Sequence, residues 1–162
     1  MPKIELKQAE QSDHQLIVNL MQFYNYDFSE WVPLSFGEDG FFAIRPKLDY
    51  LSSPTTRPFL ILVDDDIAGF LIVDNEVHAA GAKHNIGYFS VARRFRGLGV
   101  GAQAVSDLLC KFPGPWQIWH VSENLGASAF WAKIIPIVSG GEYAVHSLDI
   151  DDCNATLYRF NR

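Results

Sequence analysis

Val91-Ala-Arg-Arg-Phe-Arg-Gly-Leu-Gly-Val-Gly-Ala102 is the stretch from which the rest of the chain can be read. An apolar run, Ile86 to Val91, leads into it, and behind it Val105, Leu108, Leu109 and Phe112 recur at helical spacing on one face. A strand, a glycine loop and an amphipathic helix in succession suit a phosphate. Gly97, Gly99 and Gly101 let backbone approach a ligand closely, and the exposed N–H groups and dipole of a helix start favour negative charge there. Arg93, Arg94 and Arg96 add fixed positive charge.

Around this stretch lie 162 residues, 48% hydrophobic and 14% aromatic, enough to bury the core of a single domain spanning 1–162 and too apolar for a disordered chain. A net charge of −6, with 13 Lys and Arg against 19 Asp and Glu, argues against a nucleic-acid partner, which needs a basic face. The arginine loop is a local exception that suits an anionic cofactor, and the acidic surface suits a cationic substrate. No apolar run approaches the roughly 20 residues that cross a bilayer, and the first residues lack a signal-peptide pattern, so a cytoplasmic protein without a membrane partner is expected. Cys110 and Cys153 stand in no paired or metal-ligand spacing; both read as reduced thiols, with Cys110 packed on its helix.

The remaining segments supply the frame. Ile4 to Lys7 alternates as a first strand, and Ser12-Asp-His-Gln15 matches a capping box opening a helix to about Tyr26, with Leu16, Leu20, Phe23 and Tyr24 inward. Phe28 to Pro58, rich in Pro, Gly and aromatics, is expected to hold a second short helix and loops. Phe59 to Val63 and Ile67 to Val73 read as antiparallel strands joined by a tight turn at Asp64-Asp-Asp66, where turn chemistry outweighs a metal reading. Pro113-Gly-Pro115 stops the loop helix, Trp116 to Val121 alternates as a strand, and a helix carrying Ala127, Phe130, Trp131 and Ile134 follows and ends by Pro136. Tyr143 to Ile150 and Ala155 to Phe160 read as a closing hairpin. Early hairpins followed by crossover helices make an α/β fold, a mixed central sheet of six to seven strands flanked by helices on both faces.

The run Arg96-Gly-Leu-Gly-Val-Gly101 resembles the Arg/Gln-x-x-Gly-x-Gly/Ala motif of the GCN5-related N-acetyltransferases (GNAT), and Asn124, Ala127, Phe130-Trp131 and Lys133 resemble that family's Asn-x-x-Ala-x-x-Phe-Tyr-x-Lys segment. The resemblance implies acetyl-CoA as co-substrate and no metal. It implies that backbone at Gly97, Leu98, Gly99, Val100, Gly101 and Ala102 holds the pyrophosphate with Arg96. The pantetheine arm then lies between splayed fourth and fifth strands against Phe89 and Val91, near Asn124, Phe130 and Lys133. The Val91 N–H polarises the thioester carbonyl while a neutral primary amine of a small molecule or peptide attacks directly. Tyr24, Asp27, Phe28 and Trp31 fall where relatives build the acceptor pocket, as a mixture of core rings and cleft lining. Monomer and homodimer are both open.

Two departures bear on the chemistry. Where many relatives carry a glutamate base on the fourth strand this chain has Gly87 and Tyr88, and Trp131 replaces the tyrosine acid. An indole donates no proton at useful pH. Tyr88, His120, Glu123 and Tyr143 are the candidate replacements, beside water relay with catalysis by positioning. A non-catalytic acyl-CoA-binding sensor or regulatory module is the alternative. A dinucleotide enzyme is a weaker one, from Gly97-x-Gly99-x-x-Ala102 with Glu123 downstream.

Overall fold

Phe59-Leu-Ile-Leu-Val63 and Ile67 to Val73 are apolar at successive positions. Successive strand side chains point to opposite faces, so such segments are satisfied only in a sheet covered on both sides. The computed structural model, which describes residues 1–43 and 48–162, has that sheet.

The chain runs β1 (Ile4–Gln8), α1 (His14–Phe28), α2 (Leu48–Ser52), β2 (Arg57–Val63), β3 (Asp66–Asp74), β4 (His84–Val91), α3 (Val100–Lys111), β5 (Pro115–Val121), α4 (Leu125–Val138), β6 (Tyr143–Ile150) and β7 (Cys153–Asn161). The seven strands lie in the order β1-β2-β3-β4-β5-β7-β6. Every neighbouring pair is antiparallel except β4 and β5, which are parallel. The short α2 answers the second helix expected between Phe28 and Pro58; the part of that segment at 44–47 lies outside the described residues.

The two faces take alternate residues of the same strands. Phe59, Ile61, Leu71, Val73, Ile86, Trp116 and Ile118 pack under α3 and α4, against Val105, Leu108, Leu109, Trp131 and Ile135. Leu60, Phe70 and Ile72 pack under α1 and α2, against Ile17, Met21, Tyr50 and Leu51. Both hairpin turns are two-residue turns in left-handed backbone, Asp64 and Asp65 at φ 49° and 71° and Asp151 and Asp152 at φ 50° and 62°. This is the twist that fits a tight hairpin, and Asp tolerates it.

Four local readings change. The capping box lies two residues earlier than expected. A 3-10 turn over Gln11–Asp13 precedes α1, and the Glu10 N–H donates to Asp13 Oδ2 at 2.9 Å, while Gln15 bonds Asn19 instead. Leu16, Leu20 and Tyr24 pack on the core as expected, but the buried centre of the α1 face is Ile17, Met21 and Asn25, and Phe23 is 72% exposed. Cys110 is exposed, on the side of α3 away from Leu108 and Leu109. Finally, α4 continues past Pro136 to Val138, because Val138 packs into the same core as Ile134 and Ile135 and tertiary burial outweighs the missing N–H.

Candidate active site

The parallel pair β4–β5 is joined at only two positions, His84 to Trp116 and Asn85 to Gln117. Beyond them Ile86 to Val91 and Ile118 to Val121 diverge, each strand held by its outer neighbour, β3 or β7. The Ala92 N–H donates to the Ala68 carbonyl at 2.8 Å. Because amides in an antiparallel ladder alternate sides, those of Ser90 and Tyr88 also face β3, and those of Val91 and Phe89 face the gap. The Val91 carbonyl accordingly accepts from Arg96 Nε at 2.7 Å.

The glycine loop closes one end of that gap. Gly97 and Gly99 have φ 76° and 79°, a conformation costly for any residue with a Cβ, and Gly99 is the N-cap of α3. The Gln103 N–H donates to the Gly99 carbonyl at 3.0 Å, so the amides of Val100, Gly101 and Ala102 belong to the first turn, whose N–H groups have no helical acceptor. The side chain of Val100 is buried and Leu98 is 62% exposed. Gly101 matters for packing instead. A Cβ there would lie 3.1 Å from the Phe89 ring and 3.2 Å from that of Phe130, so its absence lets α3 sit close on β4 and α4. Phe89 contacts Phe130 and Trp131 at ring distances of 5.4 and 5.5 Å.

The arginines and Asp27 meet each other. Asp27 accepts from Arg93 and Arg96, each at 2.9 Å, tying the end of α1 to the loop. Arg94 lies over the Phe95 ring and 3.7 Å from Asp66. On the α1 side, Tyr24 stacks on Phe28 at 5.4 Å and meets Tyr88 edge-on at 5.1 Å, and Tyr50 also meets Tyr88 edge-on, at 5.8 Å. Burial, then the neighbouring Tyr88, pushes the Tyr24 hydroxyl well above the ordinary phenol range. Trp31 is half-buried just after α1.

The other candidate residues are dispersed. His120 is 7% exposed beneath α4, its Nδ1 2.9 Å from the Val121 carbonyl and its Nε2 buried without a hydrogen-bond partner among the described residues. Asn124 caps α4, accepting from the Ala127 N–H at 3.0 Å; Glu123 and Lys133 are exposed. Tyr143 begins β6, which is separated from β4 by β5 and β7, about 14 Å at the usual strand spacing. The structure therefore brings Tyr88 and Val91 to one strand and leaves Tyr143 remote from both.

One group of residues escaped the sequence reading. Tyr50 donates to Asp74 Oδ2 at 2.5 Å, Asn85 donates to Asp74 Oδ1 at 2.8 Å, and Gln117 donates to Asn85 Oδ1 at 3.0 Å. The other side of Gln117 accepts from the backbone of His78 and Ala79 at 2.7 and 2.8 Å. All four side chains are buried, and Asn85 with Gln117 is the last pair before the strands part. The signal was a glutamine inside the apolar run of β5; Asp74 and Asn85 lie at the ends of β3 and β4, just outside their apolar runs.

Comparison with known proteins now fits this geometry. The model of the acetyltransferase (GNAT) family matches residues 19–134, and the chain belongs to that family, a family of acyltransferases. No curated protein matches the sequence. Among solved structures, an acetyltransferase from Thermus thermophilus is similar at TM-score 0.69 and 13% identity, covering 99% of this chain and 97% of its own. A GNAT-family acetyltransferase from Streptococcus pneumoniae has TM-score 0.61 and 12% identity, covering 99% and 100%. Spermidine N-acetyltransferase from Vibrio cholerae, solved with CoA and spermine, has TM-score 0.64 and 11% identity, covering 98% and 95%. The dinucleotide reading falls with the sheet: one parallel pair among antiparallel neighbours leaves no doubly wound parallel core.

Proposed function

We propose that residues 1–162 form one N-acetyltransferase domain that transfers the acetyl group of acetyl-CoA to a primary amine of a small molecule or peptide. The observation that carries the reading is the gap between β4 and β5 with the glycine-capped start of α3 at its end. A diphosphate takes the amides from Gly97 to Ala102, including those of Leu98 and Val100. The pantetheine arm fills the place of a missing strand, meeting the amides of Phe89 and Val91 and passing Asn124, Phe130 and Lys133. The Val91 N–H then stabilises negative charge on the thioester oxygen as the amine nitrogen attacks. The new C–N bond forms as the C–S bond breaks.

The acceptor reaches this carbonyl from the α1 side, past Tyr24, Phe28, Tyr88 and Trp31. A cationic amine suits those rings, and spermine beside CoA in the Vibrio cholerae structure is consistent with that choice. Asp27 serves the site through Arg93 and Arg96, which it holds at the loop.

Thermal unfolding with and without acetyl-CoA tests the coenzyme, with NAD and FAD in parallel. A ligand at 100 times its Kd stabilises the native state by about 2.7 kcal/mol, roughly a 5–10 °C shift at this size. A shift with acetyl-CoA alone is expected; none with acetyl-CoA removes the loop from coenzyme binding. Buried Trp131 in place of a phenol also leaves the second reading, a non-catalytic acyl-CoA-binding module. Coenzyme release on offering polyamines, amino acids and peptide N-termini separates the two.

A further inference from the structure

Gly87 sits in a bulge of β4: the pairing passes from Ile72–Tyr88 to Val73–Ile86 and leaves it unmatched. A Cβ at Gly87 would overlap Asp74 Oδ2 and lie 2.6 Å from the Tyr50 hydroxyl. The oxygens of Asp74, from β3, and Tyr50, from α2, thus occupy the volume that a side chain on β4 would fill. That volume lies two residues beyond Asn85, at the apex of the gap, on the face that carries Tyr88 and Tyr24.

Asp74 is 3% exposed, and its partners are neutral: the Tyr50 hydroxyl at 2.5 Å, the Asn85 amide at 2.8 Å and the Glu76 N–H at 3.1 Å. None of the ion pairs among the described residues includes it. The Tyr50 hydroxyl is hydrogen-bonded directly to Oδ2, so a proton accepted at Tyr50 Oη has an existing bond along which Tyr50 can pass its own to this carboxylate. Asn85 and Gln117 fix the carboxylate in place through a chain ending on the backbone of 76, 78 and 79. The charged or titratable groups around the pair are Glu76, Tyr88 and Tyr24, with His78 and Asp151 beside Glu76.

We propose that Tyr50 and Asp74 form the proton relay that neutralises the acceptor's ammonium group, replacing an acid–base residue on β4. This rests on the acetyltransferase reading above. The ammonium N–H proton passes, directly or through one water, to Tyr50 Oη as the Tyr50 proton passes to Asp74 Oδ2. The freed lone pair attacks the thioester carbonyl, the C–S bond breaks, and the second amine proton goes to the departing thiolate. Asp74 returns its proton to solvent through Tyr50 after product leaves. From Gly87 to Val91 the strand spans about 13 Å, room for an amine and a bridging water between relay and polarised carbonyl. Burial first, and then the charge and hydrogen bond of Asp74, push the Tyr50 hydroxyl far above the ordinary phenol range, so it carries protons only by exchange with Asp74.

The test is steady-state acetylation by Tyr50→Phe and Asp74→Asn across pH, with a primary alkylamine acceptor and with an O-alkylhydroxylamine, which is neutral at pH 7. For the alkylamine, each variant is expected to lower kcat about a hundredfold at pH 7, with the KM for acetyl-CoA within about twofold of wild type. Rate then climbs with pH as neutral amine becomes available, and the O-alkylhydroxylamine is acetylated at near wild-type rate. A structural defect would depress both acceptors alike, and that result in both variants, or a loss under about threefold for the alkylamine, overturns the relay. Asp74→Asn keeps the shape and an oxygen for Tyr50 should Tyr50→Phe fail to fold. Wild-type protein that acetylates no amine overturns the acetyltransferase reading itself; wild-type turnover with unaltered variants overturns the relay alone.

Discussion

Asp27 accepts from Arg93 and Arg96 at 2.9 Å, yet it is one of the cheaper residues to lose. Burial raises its pKa, but the hydrogen bonds and charges of Arg96 and Arg93 outweigh that and hold the carboxyl below the ordinary range. A depressed folded pKa stabilises the protein above the unfolded value, about 4, and the contribution disappears as pH falls through the folded value. Solvent screens the pair, so Asp27→Asn should cost only about 1 kcal/mol at pH 7. Urea unfolding at several pH values should show the difference between the two proteins shrinking below about pH 4; a difference independent of pH would mean that packing, not charge, is what the substitution removed. Leu98 offers the cleaner probe of the coenzyme. Substitution at Gly97 or Gly99 mixes binding with about 1–2 kcal/mol of backbone strain, whereas Leu98 is 62% exposed. Leu98→Asp adds a carboxylate near a helix N-terminus, neutral or slightly stabilising for the free protein, and it opposes a diphosphate. Titration calorimetry is expected to show acetyl-CoA binding weakened about tenfold or more, about 1.4 kcal/mol, at unchanged melting temperature.

Among the elements, α4 depends most plainly on one residue. Asn124 accepts the Ala127 N–H at 3.0 Å, and Asn124→Ala should cost about 1 kcal/mol, a fall of about 2–4 °C in melting temperature. Asn124→Ser retains a capping oxygen and should melt near wild type. If it also binds acetyl-CoA like wild type, the residue's part in the site is to start the helix; if stability returns and affinity does not, the amide itself touches the coenzyme. The α1 stripe shows a different dependence. Period alone could not separate Phe23 from Ile17 and Met21, because aromatic and aliphatic residues lie around much of that helix; the position of Phe70 and Ile72 on β3 decided which face turned inward.

At the scale of the whole molecule the divergence of β4 from β5 has a consequence that hydrogen exchange can read. Amides of Phe89 and Val91 face the gap, and those of Tyr88 and Ser90 are bonded to β3. In the free protein the first two should exchange fast and the second two slowly, and acetyl-CoA should slow Phe89 and Val91 selectively. Equal protection of all four without ligand would show that the gap is closed in solution. Among the described residues no helix is long and apolar enough to cross a membrane.

The sequence by itself determined the family, a mixed sheet of six to seven strands, the glycine loop and the hairpin turns, because each is local: periodicity, a backbone conformation only glycine takes readily, aspartates at a tight turn. Tertiary structure decided which residues meet. Asp27, read as part of an acceptor pocket, pairs with the loop arginines because α1 ends beside the loop. Gln117 interrupts an apolar strand and Asp74 and Asn85 stand at strand ends, but their connection to Tyr50 spans β3, β4, β5 and α2, and sequence spacing carries no information about such a contact. The empty place at Gly87 looked like the loss of an acid–base group. Only the fold shows that two oxygens from other elements fill it.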